Sequence, residues 1–215
     1  MREFYFGGTN MKHEKTKMLC EAAIFIAMAE ILSLIKLYEF PNGGSVTLEM
    51  LPIVLFAARY GCGWGAGAGL GFGALTYLIG SKFSIDWTTI ICDYFLAFVA
   101  LGFGAGLLPK RKWSVFYGTL IGGVLRFLVH YLIGVFVWGV YMPDEFFGMT
   151  MTSPWFYSLL YNGSYMLPNI VLCLLVFALL YKPLKKYFTA SDLLPSPAAT
   201  QPVKDPTSPK WDPER

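Results

Sequence analysis

Long apolar runs alternate with short polar connections along this chain, and the runs approach the length that a bilayer requires. A helix needs about 20 residues to cross a hydrocarbon core of about 30 Å. Six segments reach or approach this length, namely 18–37, 46–60, 62–80, 87–108, 114–141 and 157–181. The pattern predicts an all-α integral membrane protein, a bundle of six transmembrane helices. The second segment is short and contains Pro52, so we expect it to be broken or partly re-entrant.

The distribution of basic residues predicts how the bundle is oriented, because lysine and arginine are enriched in cytoplasmic loops. Most of the basic residues fall on one side of the predicted bundle: Lys12, Lys15, Lys17, Arg59, Lys110, Arg111, Lys112, Lys182, Lys185 and Lys186. The other side receives two lysines beside four acidic residues: Lys36, Lys82, Glu39, Asp86, Asp144 and Glu145. Both termini are therefore expected in the cytoplasm, and the protein is expected to be multi-pass.

Composition supports a membrane location and separates the two ends from the apolar body. Of the 215 residues, 55% are hydrophobic and 14% are charged, which excludes an ordinary soluble domain. We expect residues 1–17 to form a polar cytoplasmic N-terminal arm and residues 18–188 to form the membrane domain. Residues 189–215 contain six prolines and are expected to form a disordered cytoplasmic tail. The lipid bilayer is the expected surrounding, and no nucleic-acid partner is predicted.

Small residues recur at four-residue spacing in two of the predicted helices. Gly65, Gly69 and Gly73 lie on one face, which we expect to pack against a neighbouring helix because small side chains allow close approach in a membrane. Ala23 and Ala27 have the same spacing in the first helix, where either internal packing or contact with a partner explains them. The cysteines lack the CxxC spacing of a metal site, and no metal or cofactor is predicted.

Several polar residues lie inside the predicted spans, where an ionisable group is costly and usually functional. They are Asp93 in the fourth segment, His130, Gly134 and Trp138 in the fifth, and Tyr157, Ser158, Tyr161, Asn162 and Tyr165 in the sixth. In the predicted orientation they all fall in the outer half of the bundle, with Gly134 leaving room between the two rings of its own helix. We expect a buried polar pocket there for a small cationic aromatic ligand.

Each of these residues also has a structural interpretation. Asp93 can pair with Arg126 or with His130 instead of a ligand, and His130 can form an interhelical hydrogen bond. Three aromatic residues can belong to the belts at the membrane surface, namely Tyr94, Trp138 and Tyr157. Their common depth favours one shared pocket over separate structural roles.

In combination, these residues resemble the thiamine-binding S component of the energy-coupling-factor vitamin importers, over about residues 19–187. The motifs that carry the resemblance are Glu21-Ala-Ala, Pro41-Asn-Gly-Gly-Ser45-Val, Leu51-Pro-Ile, Arg59-Tyr-Gly61, Asp93-Tyr94, Arg126-x-x-x-His130-x-x-x-Gly134 and Tyr157-Ser-Leu-x-Tyr-Asn162-x-x-Tyr165-x-x-Pro168. Members of that family have six membrane helices, as the hydropathy pattern predicts here. The chain departs from some members, which carry glutamate in place of Asp93 and a tryptophan near Gly43.

The resemblance implies a high-affinity thiamine-binding subunit of an ATP-driven importer in a prokaryotic plasma membrane, and not an enzyme. It implies partnership with a transmembrane coupling subunit and two ATPase subunits. The residues assigned to ligand binding are Asp93, Tyr94, His130, Gly134, Trp138, Tyr157 and Asn162. Ala23 and Ala27 match the small-residue motif that contacts the coupling subunit.

Other functions stay open at this point. The chain can be an S component for another small cationic or aromatic vitamin or precursor. It can be an intramembrane enzyme that uses Asp93 and His130, although no HExxH motif occurs and no second histidine lies in the spans. A secondary transporter working alone is disfavoured, because the six unequal spans show no evident repeat.

Overall fold

The computed structural model describes residues 8–41, 43–79 and 84–193, with only the backbone for residues 8–13, and it is predominantly helical. The main helices in these ranges are α1 (Gly8–Leu34), α2 (Met50–Tyr60), α3 (Cys62–Ile79), α4 (Trp87–Ala105), α5 (Ser114–Phe136) and α6 (Pro154–Phe188). Two antiparallel hairpins lie in the connections. Strand β1 (Tyr38–Glu39) pairs with β2 (Ser45–Val46), and β3 (Glu145–Phe146) pairs with β4 (Met149–Thr150).

Within the described ranges, three stretches are long and apolar enough to cross a membrane by length and composition, namely Trp87–Ala105, Ser114–Phe136 and Pro154–Leu193. Each of the six predicted apolar segments contains a helix, but the helices differ in length. With 11 residues, α2 measures about 16 Å at 1.5 Å per residue, roughly half of a hydrocarbon core. The short second segment predicted from the sequence is therefore only partly helical, and its first residue, Val46, belongs to β2.

Several helix ends differ from the approximate bounds of the apolar segments. Helix α1 begins at Gly8, so residues 8–17 of the predicted polar arm are helical. The fifth segment is not one continuous α-helix, because α5 ends at Phe136 and a 3-10 turn follows at Trp138–Tyr141. Helix α6 begins at Pro154, before the predicted residue 157, because Ser153 caps it by accepting a hydrogen bond from the backbone N–H of Phe156 at 3.2 Å.

The described structure extends five residues into the predicted tail. A 3-10 turn at Ser191–Leu193 follows α6, and Ala190 is buried. The first five residues of the predicted tail therefore belong to the folded domain. The tail beyond residue 193 and the arm before residue 8 lie outside the described residues.

Helix α3 packs against α4 through the glycine face that the sequence predicts. A Cβ atom added at Gly69 would collide with the carbonyl oxygen of Phe98, and one added at Gly73 would collide with the carbonyl oxygen of Tyr94. Gly65 meets Gly102 of α4 in the same way. The predicted packing of this face against a neighbouring helix is confirmed, and it holds α4 at backbone distance from α3.

The other side of α4 is approached just as closely by α5. Gly118 and Gly122 of α5 lie against the backbone of Ala105 and Leu101. The core lies below the hairpins, between α2 and these helices, and its most buried side chains include Ile53, Phe56, Phe72, Leu101 and Val115. Helix α4 is thus held between α3 and α5, and its position follows from glycine contacts on both sides.

We predict that Gly69→Ala lowers the melting temperature of the purified protein in detergent, since the added methyl group must displace the backbone of α4, at an overpacking cost of about 1–3 kcal/mol. The matched control is Gly67→Ala, two residues earlier on the same helix, where a Cβ meets nothing within 4 Å. That control is expected to leave the melting temperature unchanged or raised, because alanine favours a helix by about 1 kcal/mol over glycine. Equal effects of the two substitutions would contradict the glycine contact.

Candidate functional site

A cavity of about 790 Å³ lies at the hairpin end of the fold. Its lining comes from α1, α3, α4, α5, α6 and the β1–β2 hairpin. All seven residues predicted to bind the ligand line it: Asp93, Tyr94, His130, Gly134, Trp138, Tyr157 and Asn162. The structure thus brings together residues from three helices and a 3-10 turn that the sequence could group only by their expected depth.

Asp93 lies at the centre of the polar part of this cavity and holds two aromatic rings. Its Oδ1 lies 2.9 Å from Nδ1 of His130, and its Oδ2 accepts a hydrogen bond from Nε1 of Trp138 at 3.1 Å. Of the two partners considered for Asp93 from the sequence, the structure selects His130 and not Arg126. The residues around Asp93 form a π-helical stretch, Ile90–Leu96, within α4, a local irregularity that is frequent at functional sites.

Trp138 reaches Asp93 for a reason that differs from the predicted one. The sequence places Trp138 on the helical face of His130 and Gly134, but α5 ends at Phe136 and Trp138 lies in the following 3-10 turn. Because the backbone changes direction at this turn, the indole of Trp138 reaches the carboxylate of Asp93. The predicted common helical face is therefore wrong, although the predicted grouping of the side chains holds.

The pairing with Asp93 determines which hydrogen-bonding group His130 offers to the cavity. An ionised carboxylate only accepts hydrogen bonds, so the proton of a neutral His130 lies on Nδ1. Its Nε2 then has a free lone pair and acts as an acceptor. This atom is buried and has no hydrogen-bond partner among the described residues, so His130 presents an unsatisfied acceptor beside the cavity that it lines.

Arg126 and Glu49 form a second charged pair in the cavity wall. Nη2 of Arg126 donates to Oε1 of Glu49 at 2.6 Å, and the guanidinium lies 4.2 Å from the ring centroid of Phe98, within cation–π range. Its Nε and Nη1 have no partner among the described residues. The sequence analysis missed Glu49, although a lone carboxylate inside the second apolar segment was a signal of the same kind as Asp93.

Asn162 takes part in a network within α6 that fixes the wall opposite Asp93. Its Nδ2 donates to Oγ of Ser158 at 3.0 Å, and its Oδ1 accepts from the hydroxyl of Tyr165 at 2.7 Å. A Cβ atom at Gly134 would collide with Oγ of Ser158. Gly134 therefore does not simply leave room for a ligand between His130 and Trp138, as predicted, but allows α6 to approach α5 closely.

Aromatic side chains from both hairpins pack against tyrosines of the cavity wall. Phe40, after β1, lies 6.0 Å from Tyr161, and Phe146, in β3, lies 5.7 Å from Tyr157, measured between ring centroids. The hydroxyl of Tyr161 accepts from the backbone N–H of Gly44 at 3.0 Å, which ties the first hairpin to α6. Tyr161 and Tyr165 were among the polar residues expected around the pocket but were not assigned to ligand binding, although their spacing from Tyr157 places them on the same helical face.

The remaining predicted residues lie in two different places. Tyr94 lines the cavity, and its ring lies 5.4 Å from that of Tyr77. Ala23 and Ala27 lie outside the cavity and are exposed on α1, whereas Ala29 of the same helix is fully buried. Internal packing therefore does not account for Ala23 and Ala27 within the described residues.

Comparison with known proteins gives matches over most of the chain. The sequence profile of a family described as "Thiamine transporter protein" matches residues 19–189. The thiamine transporter ThiT of Bacillus subtilis is 34% identical over 181 residues, which cover 76% of this chain and 89% of that protein. ThiT of Lacticaseibacillus paracasei is 27% identical over 197 residues, which cover 84% of this chain and 94% of that protein.

A solved structure agrees with this result. The structure of ThiT from Listeria monocytogenes superimposes on this chain with a TM-score of 0.71 at 28% sequence identity. The match covers 81% of this chain and 98% of the other. The arrangement of helices described above is therefore that of a known transporter structure.

We predict that Arg126→Met strongly lowers the thermal stability of the purified protein, by about 3–5 kcal/mol, because the buried carboxylate of Glu49 loses its counter-charge. Lys36→Met is the control, since Lys36 pairs with Glu39 at 2.6 Å at an exposed position, where a pair contributes at most about 1 kcal/mol. Thermal unfolding in detergent, followed by circular dichroism, measures both changes. The double variant Arg126→Met/Glu49→Gln should recover much of the loss, and equal small effects of the two single variants would contradict the pairing.

Proposed function

Because the chain belongs to the thiamine transporter protein family, we propose that it captures thiamine from outside the cell as the substrate-binding membrane subunit of an ATP-driven energy-coupling-factor importer. The observation that carries this proposal is that all seven residues that match the family's ligand-binding positions line one shared cavity. Its relatives are named transporters, which supports a transport role over an intramembrane enzyme.

The proposed topology has six spans with both termini in the cytoplasm. Helix α4 begins beside the cavity and leads to the connection that contains Lys110, Arg111 and Lys112. The hairpins at the other end carry the acidic residues Glu39 and Glu145. Basic connections are typical of the cytoplasmic side, so the cavity faces the outside of a prokaryotic plasma membrane.

The charges around the cavity suit a ligand with one positive charge. Arg126 balances Glu49, and Lys36 pairs with Glu39. Asp93 contacts only an imidazole and an indole, so its carboxylate has no lysine or arginine partner among the described residues that line the cavity. Thiamine carries one permanent positive charge on its thiazolium ring, and two opposite charges 4 Å apart attract by about 4 kcal/mol at an effective dielectric constant of 20.

The hydrogen-bonding groups suit the remainder of thiamine. Nε2 of His130 is a free acceptor, which matches an N–H of the exocyclic amine on the pyrimidine ring. The free Nε and Nη1 of Arg126 are donors, which match the hydroxyl oxygen at the other end of the molecule. A ligand that fills both positions removes the cost of leaving these buried groups unsatisfied.

The aromatic residues supply the non-polar part of the binding energy. Trp138 lies next to the uncompensated charge of Asp93, and Tyr157 is buried under Phe146. Such rings stack on a flat heterocycle or attract a cation, a contribution of about 0.5–2 kcal/mol each.

Transport requires a partner, because thiamine bound in the outer half of the fold must still reach the cytoplasm. We assign the exposed face of α1 with Ala23 and Ala27 to contact with the transmembrane coupling subunit. Small side chains allow a partner helix to approach closely in the membrane. Two ATPase subunits attached to that partner supply the energy.

We predict that Asp93→Asn weakens thiamine binding by at least about 1.5–3 kcal/mol, because the amide removes the negative charge and cannot accept from both His130 and Trp138. Titration of the purified protein with thiamine, followed by tryptophan fluorescence, measures the dissociation constant. Riboflavin, biotin and pyridoxine are the comparison ligands and should not compete.

The control for this substitution is Asp144→Asn, which removes a carboxylate from an exposed position outside the cavity. It is expected to bind thiamine as the unmodified protein does. An unchanged dissociation constant for Asp93→Asn would exclude Asp93 from the site. Binding of riboflavin, biotin or pyridoxine in preference to thiamine would contradict the proposed ligand.

We predict that the double variant Ala23→Trp/Ala27→Trp loses ATP-driven thiamine uptake while the isolated protein still binds thiamine. Bulky rings on α1 keep the partner helix away, and the two residues do not line the cavity. Uptake of labelled thiamine by cells and titration in detergent measure the two activities. The control, Leu128→Trp/Leu132→Trp, changes exposed residues of α5 and should not affect uptake. Normal uptake by the alanine variant would show that this face is not a docking surface.

A further inference from the structure

The inner end of the fold holds an arginine that is buried in an ionic cluster far from the ligand cavity. The side chain of Arg59, at the end of α2, is 2% exposed. Its Nε and Nη2 donate to Oε2 of Glu21 at 3.3 and 3.0 Å. Its Nη1 and Nη2 donate to the two carboxylate oxygens of Asp192, each at 2.9 Å. Nη1 also donates to the carbonyl of Tyr187 at 3.0 Å, so all five N–H groups have acceptors.

This Arg59 cluster, made of Glu21, Arg59 and Asp192, joins three separate parts of the chain. Glu21 belongs to α1, Arg59 to the end of α2, and Asp192 to the 3-10 turn after α6. Phe188 and Ala190, which precede that turn, are buried. The end of the folded chain therefore bends beneath the helices and connects α6 with α1 through Arg59.

Stability alone is a weak explanation for such a cluster. The free energy needed to remove three charged groups from water offsets much of their mutual attraction. Apolar replacements of buried ion clusters are often neutral or stabilising. The best-attested contribution of a buried ionic group is that it selects one arrangement of the packed segments. Here the arrangement concerns α1, which packs chiefly on α2 and α3.

The cluster acts on the side of α1 opposite to Ala23. At 100° per residue, the side chains of Glu21 and Ala23 point about 200° apart, so Glu21 faces the body of the protein while Ala23 faces outward. Nearer the outer end of α1, Glu30 accepts a hydrogen bond from Thr76 of α3 at 2.8 Å. The exposed stretch with Ala23 and Ala27 thus lies between two polar contacts that determine the rotation and height of α1.

We propose that Glu21, Arg59 and Asp192 are positioning residues for partner docking. The Arg59 cluster holds the inner half of α1 at the rotation that presents Ala23 and Ala27 to the coupling subunit. The inference rests on the docking face proposed above. It adds that the turn after α6, which touches neither thiamine nor that face, is required for assembly.

The deciding variant neutralises the whole cluster without leaving an isolated charge: Glu21→Gln/Arg59→Met/Asp192→Asn. Its affinity for thiamine in detergent is expected to change less than about threefold, because no cluster residue lines the cavity. Its affinity for a purified complex of the coupling subunit and two ATPases, measured in lipid nanodiscs, is expected to fall at least about tenfold, within the usual range of coupling between separate sites. The control is Asp144→Asn/Glu145→Gln, which neutralises two exposed carboxylates outside the cavity and should dock normally.

A second comparison separates positioning from general destabilisation. Leu101→Ala removes a fully buried side chain of α4 and should lower the melting temperature without changing docking. If the triple variant fails to bind thiamine, Asp192→Asn decides instead, because it leaves Glu21 paired with Arg59. This single variant should bind thiamine normally and dock more weakly than the unmodified protein.

The outcomes distinguish this inference from the proposed function. Normal docking by both the triple variant and Asp192→Asn, together with weak docking by Ala23→Trp/Ala27→Trp, would overturn the positioning role alone. Normal docking by the alanine variant would overturn the docking face and the inference with it. If Leu101→Ala also docks weakly, and the loss of docking follows the loss of stability in both variants, ordinary destabilisation explains the effect of the cluster. That result would also overturn the inference.

Discussion

The backbone contact between α3 and α4 is the constraint on which the cavity depends. Gly73 lies against the carbonyl of Tyr94, the residue next to Asp93, so the separation of the two helices determines where the carboxylate lies. On the other side of α4, Gly118 and Gly122 bring α5 equally close. The 2.9 Å contact between Asp93 and His130 requires both approaches, because a side chain at either interface would move one helix by more than a hydrogen bond tolerates.

Charged groups inside the fold all occur in contacts between segments that are distant in sequence. Arg126 reaches Glu49 across 77 residues, and Arg59 reaches Asp192 across 133 residues. In lipid, apolar surfaces alone give little preference for one helix arrangement over another. Pairing these groups removes a large desolvation cost only in the correct arrangement, so the pairs distinguish the native packing from other ways to bury the same apolar faces.

Local patterns predicted much of the fold and of the site, whereas long-range pairing and helix ends were not predictable. In the part of the chain that the structure describes, each apolar segment read from the hydropathy contains a helix. The four-residue spacing of Gly65, Gly69 and Gly73 identified a contact that the structure confirms. The pair of Glu49 and Arg126 was not predicted, because no sequence periodicity links two residues in different segments. The end of α5 at Phe136 was not predicted because the apolar run continues past it to Tyr141. The folded turn at Asp192 was not predicted because its composition resembles that of the tail.

The length of helix α6 has a mechanical consequence. Its 35 residues extend over about 52 Å, well beyond a hydrocarbon core of about 30 Å. Tyr157 and Asn162 lie near the end that lines the cavity, and the turn that contacts Arg59 follows the opposite end. A tilt of about 5° around its centre would displace each end by about 2 Å in opposite directions. Pro168, which removes one backbone hydrogen bond inside the helix, is the point at which such a lever can bend.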